Sequence, residues 1–314
     1  MISLKYQENT EIENKFYEYV TNKRNKNCIA DIDKKCQMYL NKTFKEVVCA
    51  SPKALKELHV SLIQKTNYEQ IKEKFKCIGG DKFKRKGNYI VKTLYHGLPK
   101  EAKQLIYNQL KLKTCPYCNR NFIEKLELDT SEGNRKYVGT FELDHFYSKD
   151  KFPMFAVSFY NLIPVCSVCN SIKGDDDFYL NPYLLDQKDH VSFTYDILGS
   201  EYMDNEEQLR IKINSSSQEA LKDAENLHLM EIYNGHKDIV CEIIKKTRYY
   251  NPEYVESLLN ATGTLFKDKD ELYRLLYGGY ANSDEYEKRP LSKFIKDIYQ
   301  DTIRTMGEFD VLET

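Results

Sequence analysis

Hydrophobic residues recur every three or four positions through most of residues 1–112, and this spacing predicts amphipathic helices. The segments that carry the pattern are IENKFYEYVTNK, DIDKKCQMYLNKTFKEVV, SPKALKELHVSLIQ and NYEQIKEKFKCI. Ser51 followed by Pro52 predicts a helix start, because serine caps a first turn well and proline fits its first position. Another helix is expected behind Pro99. The basic stretch 82–86 interrupts the pattern, and we expect it to form a loop that is a candidate for contact with phosphate.

The pattern changes between residue 114 and about residue 185, where paired cysteines, short β-like runs and turn residues appear. FELDHFYSK, at 141–149, is typical of a strand that ends near Asp144 and His145. Further on, HVSFTYDI and LRIKIN predict two strands by alternation and β-branching. After these strands the pattern is again helical. It begins with a capping box at Ser216 and Glu219, and a break is expected at Asn234-Gly235.

These changes in pattern predict an α+β fold in a mainly helical chain. We place an N-terminal helical region at 1–112, a core with its following strands at 113–214, and a C-terminal helical region at 215–314. Composition alters this picture only slightly. The 314 residues include 47 lysines and arginines and 48 acidic residues, a formal net charge of -1. That balance excludes a protein held to nucleic acid by bulk charge alone, although a local basic groove stays possible.

The cysteines point to metal binding. The chain start has no secretion-signal pattern, and no apolar run approaches the roughly 20 residues that cross a bilayer, so we expect a cytoplasmic protein without membrane contact. In a reducing cytoplasm, paired cysteines favour metal over disulfides. Cys115 and Cys118 form one CxxC pair, and Cys166 and Cys169 form another. Two such turns supply the four thiolates of a closed, structural Zn²⁺ site, whereas a redox pair or unrelated buried thiols are the alternatives.

Candidate catalytic residues lie between and just after these pairs. Neighbouring residues on a strand point to opposite faces, so Asp144 and His145 are expected to serve different roles. Asn161 precedes the second cysteine pair and Asn170 follows it directly. If CSVCNSIKG begins a helix, Lys173 shares a helix face with Asn170 because the two residues are three positions apart.

The series CPYC…LDHF…YNLIPVCSVCNSIKGD resembles the zinc-stabilised HNH endonucleases of the ββα-metal group, over roughly residues 115–175. The resemblance implies an embedded ββα-metal motif stapled by a four-cysteine Zn²⁺ site. It also implies that His145 is the general base and that Asp144 and Asn170 hold a catalytic Mg²⁺ or Mn²⁺. Asn161 would brace the loop between strand and helix, and Lys173 would neutralise phosphate charge. This chemistry suits phosphodiester hydrolysis, which needs an activated water and a cation beside the developing charge.

The resemblance therefore predicts a metal-dependent endonuclease acting on DNA. The longer pattern, with NPYLLDQKDHVSFTYDILG and RPLSKFIKDIY, is similar to HNH proteins of bacterial anti-phage systems, including the Septu-type nuclease subunit. That likeness implies a role in anti-phage defence and a regulatory partner such as an ATPase. Two alternatives stay open: a nuclease acting on RNA such as tRNA, and a non-catalytic zinc module that binds nucleic acid or protein.

Overall fold

Helices and short antiparallel strand pairs make up the chain in a computed structural model, which describes residues 1–79, 88–129, 135–186, 190–262 and 265–312. The basic stretch 82–86 lies outside the described residues. The helices are α1 Thr10–Thr21, α2 Lys26–Leu40, α3 Phe44–Val48, α4 Pro52–Ile63, α5 Tyr68–Lys76, α6 Lys100–Leu110, α7 Ser167–Lys173, α8 Gln218–Asn226, α9 Leu229–Asn234, α10 Lys237–Tyr249, α11 Pro252–Thr262, α12 Lys269–Tyr277 and α13 Ser292–Leu312. The strands are β1 Lys125–Asp129, β2 Arg135–Gly139, β3 Glu142–His145, β4 Leu162–Val165, β5 Ser192–Ile197 and β6 Leu209–Asn214.

The chain forms two compact units, each built from segments that are discontinuous in sequence. The helical unit comprises Leu4–Lys111 and Phe141–Leu184. The mixed unit comprises Met1–Ser3, Leu112–Thr140 and Leu185–Thr314. Helices together with small antiparallel sheets confirm the predicted mixed fold at the level of α+β. The three consecutive regions drawn from the sequence stay a prediction.

Aromatic packing forms much of the core of the helical unit. Phe16 of α1 meets Phe159 edge to face, with ring centroids 5.1 Å apart, and Phe44 is also fully buried. Each such ring contributes about 1.5–3 kcal/mol through burial of apolar surface. Ser51 accepts a hydrogen bond from Ala54 N and Pro52 is the first residue of α4, which confirms the predicted helix start.

Two local predictions in the helical regions are wrong in detail. DIDKKCQMYLNKTFKEVV is not one helix, because Asn41 adopts a left-handed conformation (φ 54°) that ends α2. Asparagine tolerates this conformation better than most residues. The cap of α8 is Ser217, which accepts from Ala220 N at 3.2 Å, and not Ser216 as predicted. The expected break at Asn234-Gly235 is confirmed, since α9 ends at Asn234.

The predicted strands β5 and β6 are confirmed as an antiparallel hairpin in the mixed unit. Helix α13 lies along β5 and accepts hydrogen bonds from its free edge. Asp297 Oδ2 accepts from Phe193 N at 3.0 Å, and Asp301 Oδ2 accepts from Tyr195 N at 3.3 Å. The carboxylates therefore satisfy backbone donors that an exposed edge strand would present to other chains.

None of the helices among the described residues has the length and the apolar character needed to cross a membrane.

Candidate active site and metal centre

The first cysteine pair lies in a tight turn of the mixed unit. Asn119 N donates to Cys115 O at 2.7 Å, and Cys115 N donates to Asn121 O at 2.9 Å. Asn119 has a left-handed backbone (φ 50°), which lets the chain reverse directly after Cys118. Its buried amide donates to Thr114 Oγ1 at 3.0 Å, and Arg120 N donates to Cys118 Sγ at 3.4 Å. These bonds fix the two thiols on the inside of the turn.

The second pair lies at the start of α7, so the helix considered for CSVCNSIKG is present. Cys166 is the N-cap residue, and its Sγ accepts from Cys169 N at 3.5 Å. The first turn of a helix presents unpaired N–H groups, so a thiolate at this position gains hydrogen bonds and a favourable dipole.

Cys115, Cys118, Cys166 and Cys169 form a cluster of four buried thiols whose sulfur atoms all lie within 4.8 Å of one another. A tetrahedral Zn²⁺ with Zn–S bonds of about 2.3 Å requires sulfur atoms about 3.8 Å apart, so the cluster fits this ion with little adjustment. Soft thiolates favour Zn²⁺ over hard cations. The cluster can therefore hold a structural metal such as zinc, as the sequence predicts.

Strands β3 and β4 and helix α7 lie together in the helical unit. The strands pair antiparallel, with Asp144 opposite Ile163 and His145 opposite Leu162. Helix α7 begins directly after β4. Adjacent residues of a strand face opposite sides of the sheet. The side chains of Asp144 and His145 therefore have different surroundings.

One face of β3 meets α7. Asn170 Nδ2 donates to Glu142 Oε2 at 2.5 Å, and Lys173 Nζ donates to Asp144 Oδ1 at 3.1 Å. Asn170 and Lys173 are three residues apart on the helix, and Glu142 and Asp144 are two residues apart on the strand. With these spacings each of the two α7 side chains meets one carboxylate. Lys173 Nζ also donates to His145 O at 2.9 Å, and both Lys173 and Asp144 are buried.

The His145 imidazole lies on the other face of β3 and is only 6% exposed. Its Nε2 lies 3.0 Å from Ala156 O. Because a carbonyl can only accept, Nε2 carries the proton in this orientation and Nδ1 holds the lone pair of the neutral ring. Burial, together with the nearby charges of Lys149 and Lys173, lowers the pKa of His145 to about 3. The imidazole is therefore neutral at physiological pH, with a lone pair on Nδ1, but in this environment it is a weak base.

Asn161 is fully buried directly before β4, and its side chain bonds to backbone groups of Tyr147 and Phe155. Its Oδ1 accepts from Tyr147 N at 2.8 Å, and its Nδ2 donates to Tyr147 O at 3.1 Å and to Phe155 O at 2.9 Å. These bonds satisfy backbone groups that would otherwise be buried without partners. They are contacts of the kind expected for a brace, and the part of Asn161 in catalysis stays a prediction.

The buried ion pair between Lys173 and Asp144 predicts a large change in stability. Replacing Lys173 with methionine leaves a buried carboxylate without its cation, and we expect the free energy of unfolding to fall by about 3–5 kcal/mol. The double variant Asp144→Asn/Lys173→Met should lose less than the sum of the two single variants. Urea denaturation of the four proteins measures this coupling.

An exposed pair in the same unit provides the control. Lys151 Nζ lies 2.7 Å from Asp177 Oδ2, but the side chains are 44% and 60% exposed. Because water screens such a pair, Lys151→Met should cost less than about 1 kcal/mol. Equal losses for Lys151→Met and Lys173→Met would show that burial does not strengthen the Lys173 pair.

The predicted site residues thus fall into several groups of contacts. The cysteines form one cluster, while Asp144 and Lys173 pair with each other. The Asn170 amide nitrogen meets Glu142, which leaves its amide oxygen as an acceptor for a cation. Glu142 and Asp144 share one strand face, and their carboxylates with this amide oxygen are the hard donors that Mg²⁺ and Mn²⁺ prefer. A divalent cation at this site stays a prediction.

Two contacts at the site were not predicted from sequence. One is the contact between Glu142 and Asn170. Glu142 lies two residues before Asp144 and so shares its strand face, which could have suggested this contact. Tyr95, whose ring contacts His145, lies far earlier in the chain, and no spacing or motif connects the two residues.

Comparison with protein-family models, with curated proteins and with solved structures gave no significant match.

Proposed function

We propose that this protein is a metal-dependent endonuclease of the HNH type that hydrolyses phosphodiester bonds of DNA. One observation supports the proposal above the others: Asp144 and His145 end the same strand with their side chains on opposite faces, and α7 packs its polar residues Asn170 and Lys173 on the Asp144 face. This brings a carboxylate, an amide, an ammonium and a neutral imidazole to one strand end.

In the proposed reaction, His145 accepts the proton of the attacking water at Nδ1 while the water oxygen bonds to phosphorus. The bond between phosphorus and one sugar oxygen breaks, and the leaving sugar oxygen takes a proton from solvent. Asp144 and Asn170 would hold a Mg²⁺ or Mn²⁺, which when bound neutralises charge on the phosphate. The low pKa of His145 arises first from burial and then from the charges of Lys149 and Lys173. A bound phosphate would offset these positive charges and raise the basicity of the imidazole toward the range useful for catalysis.

Zn²⁺ in the four-cysteine cluster has a structural role in this proposal. Four thiolates complete a tetrahedral shell and leave no open position for water or substrate. The cluster includes Cys166 and Cys169, at the cap and in the first turn of α7, the helix that carries Asn170 and Lys173. Binding of the metal would therefore limit movement of the residues that face Asp144.

A non-catalytic zinc module is the second candidate, and burial favours it. Asp144 and His145 are only 3% and 6% exposed, so little of either side chain is open to substrate. This candidate keeps the cysteine cluster and gives His145 a packing role only. The two candidates differ in whether the protein breaks phosphodiester bonds.

Cleavage assays separate these candidates. We expect the purified protein to nick or linearise supercoiled plasmid DNA with Mg²⁺ or Mn²⁺ and to stop when a chelator removes these ions. Parallel assays with single-stranded DNA and with tRNA test the sugar and strand preference. Assays with and without a co-purified ATPase test for a regulatory partner in anti-phage defence. Binding of nucleic acid without cleavage under any of these conditions would favour the zinc module.

A further inference from the structure

A π-helical turn at Ile90–Tyr95 lies in the helical unit with the candidate active site. Its register is set by the wide hydrogen bond from His96 N to Val91 O, 3.0 Å long. π-helical turns are rare, and they occur frequently at functional sites because the extra residue redirects a side chain. Here the last residue of the turn is Tyr95, which is directed onto β3.

Tyr95 contacts two positions of the strand that carries the candidate base. Its ring meets the His145 imidazole edge to face, with centroids 4.3 Å apart and planes at 64°. Its hydroxyl donates to Leu143 O at 3.1 Å. The tyrosine thus holds both the ring of His145 and the backbone beside it.

The hydroxyl is well suited to act as a constant donor. Burial and the negative charges of Asp144 and Glu142 raise the pKa of Tyr95 to about 12, so the group keeps its proton at neutral pH. The imidazole is then held at two places: Ala156 O accepts from its Nε2, and the Tyr95 ring packs against it. A ring flip would place Cε1 where Nε2 lies and Cδ2 where Nδ1 lies. Ala156 O would then lose its donor, and the lone pair on Nδ1 would leave its present direction.

We propose that Tyr95 is a positioning residue that fixes the orientation of the His145 imidazole, with its ring against the imidazole and its hydroxyl on β3. The catalytic consequence rests on the proposed nuclease function, whereas the effect on the imidazole does not. The π-helical turn therefore supplies part of the site from a segment that precedes both cysteine pairs.

The test compares Tyr95→Met, which removes the ring but keeps much of the volume, with Tyr95→Phe, which removes only the hydroxyl. Tyr95→Met should lower kcat by about 10²-fold with KM within about twofold, because misplacing a catalytic group costs rate more than binding. Tyr95→Phe should keep the imidazole orientation and lose only about fivefold in kcat. The control is Tyr39→Met, since Tyr39 makes an edge contact with Phe75 in the same unit, at 6.3 Å between centroids.

A second measurement does not require activity. The ¹⁵N signals of the His145 imidazole report which nitrogen carries the proton. We expect wild type, Tyr95→Phe and Tyr39→Met to show the Nε2–H form, and Tyr95→Met to show averaging of the two nitrogens. If neither the wild type nor any variant cleaves nucleic acid, the nuclease proposal fails. The ¹⁵N signals still test whether Tyr95 positions the His145 imidazole.

Two outcomes would overturn the inference. One is an unchanged imidazole spectrum in Tyr95→Met together with a kcat equal to that of Tyr39→Met. The other applies if Tyr95→Met does not fold: Tyr95→Leu, which also removes the ring, then carries the test, and a wild-type imidazole spectrum and kcat in it would overturn the inference.

Discussion

Replacement of His145 with alanine is expected to lower divalent-dependent cleavage of plasmid DNA by about 10²–10⁴-fold. The reason is that Nδ1 of the neutral imidazole is the proposed acceptor for the proton of the attacking water. Zinc content should not change, because His145 is not part of the cysteine cluster. The measurement is the cleavage rate of wild type and His145→Ala, with the zinc content determined on the same samples.

Two further variants separate catalysis from folding. His145 is buried, so alanine also leaves a cavity that can destabilise the protein. His145→Asn keeps a donor for Ala156 O but lacks a basic nitrogen, and it should be as inactive as the alanine variant. His228→Ala is the control, because its side chain is 64% exposed. Full activity in a folded His145→Asn variant would exclude His145 as the base.

Replacement of Cys169 with serine is expected to remove bound zinc and to unfold much of the chain. Structural Zn²⁺ contributes about 10–16 kcal/mol to folding in zinc-finger peptides. A contribution of this size is comparable with the whole stability of a typical domain, about 5–15 kcal/mol. Elemental analysis should find one zinc per wild-type chain and none in the variant, and thermal denaturation should show loss of the cooperative transition.

Cys36→Ser is the matched control for this experiment. Cys36 is a fully buried thiol of α2 outside the cluster, so its replacement perturbs packing without removing a metal ligand. This variant should lose some stability and keep its zinc. Full zinc content and a wild-type melting temperature in Cys169→Ser would contradict a metal site at the cysteine cluster.

Short-range patterns predicted the local elements well. The alternation in LRIKIN forms β6, and Ser51 with Pro52 begins α4. The helix that was assumed at CSVCNSIKG is present, since α7 starts directly after its N-cap Cys166. The errors arose where a single polar residue decided an element boundary. Asn41 ends α2 through its left-handed conformation, and Ser217 caps α8 in place of its neighbour Ser216.

Part of the candidate site could be predicted because its chemistry follows sequence spacing. The CxxC pairs fixed which thiols could meet, and strand alternation placed Asp144 and His145 on opposite faces. The same reasoning placed Asn170 and Lys173 on one side of a helix. It could not predict that Lys173 would be buried against Asp144 and that Asn170 would meet Glu142.

The sequence alone therefore determined most of the helices, the strands β3, β5 and β6, and the two CxxC pairs, since each depends on residues a few positions apart. Only the tertiary structure decided the surroundings of the candidate catalytic groups: the buried Lys173–Asp144 pair, the enclosed imidazole and the contact of Tyr95 with His145. The physical reason is that burial and long-range contacts depend on how distant segments pack, and many packings are compatible with the same local pattern.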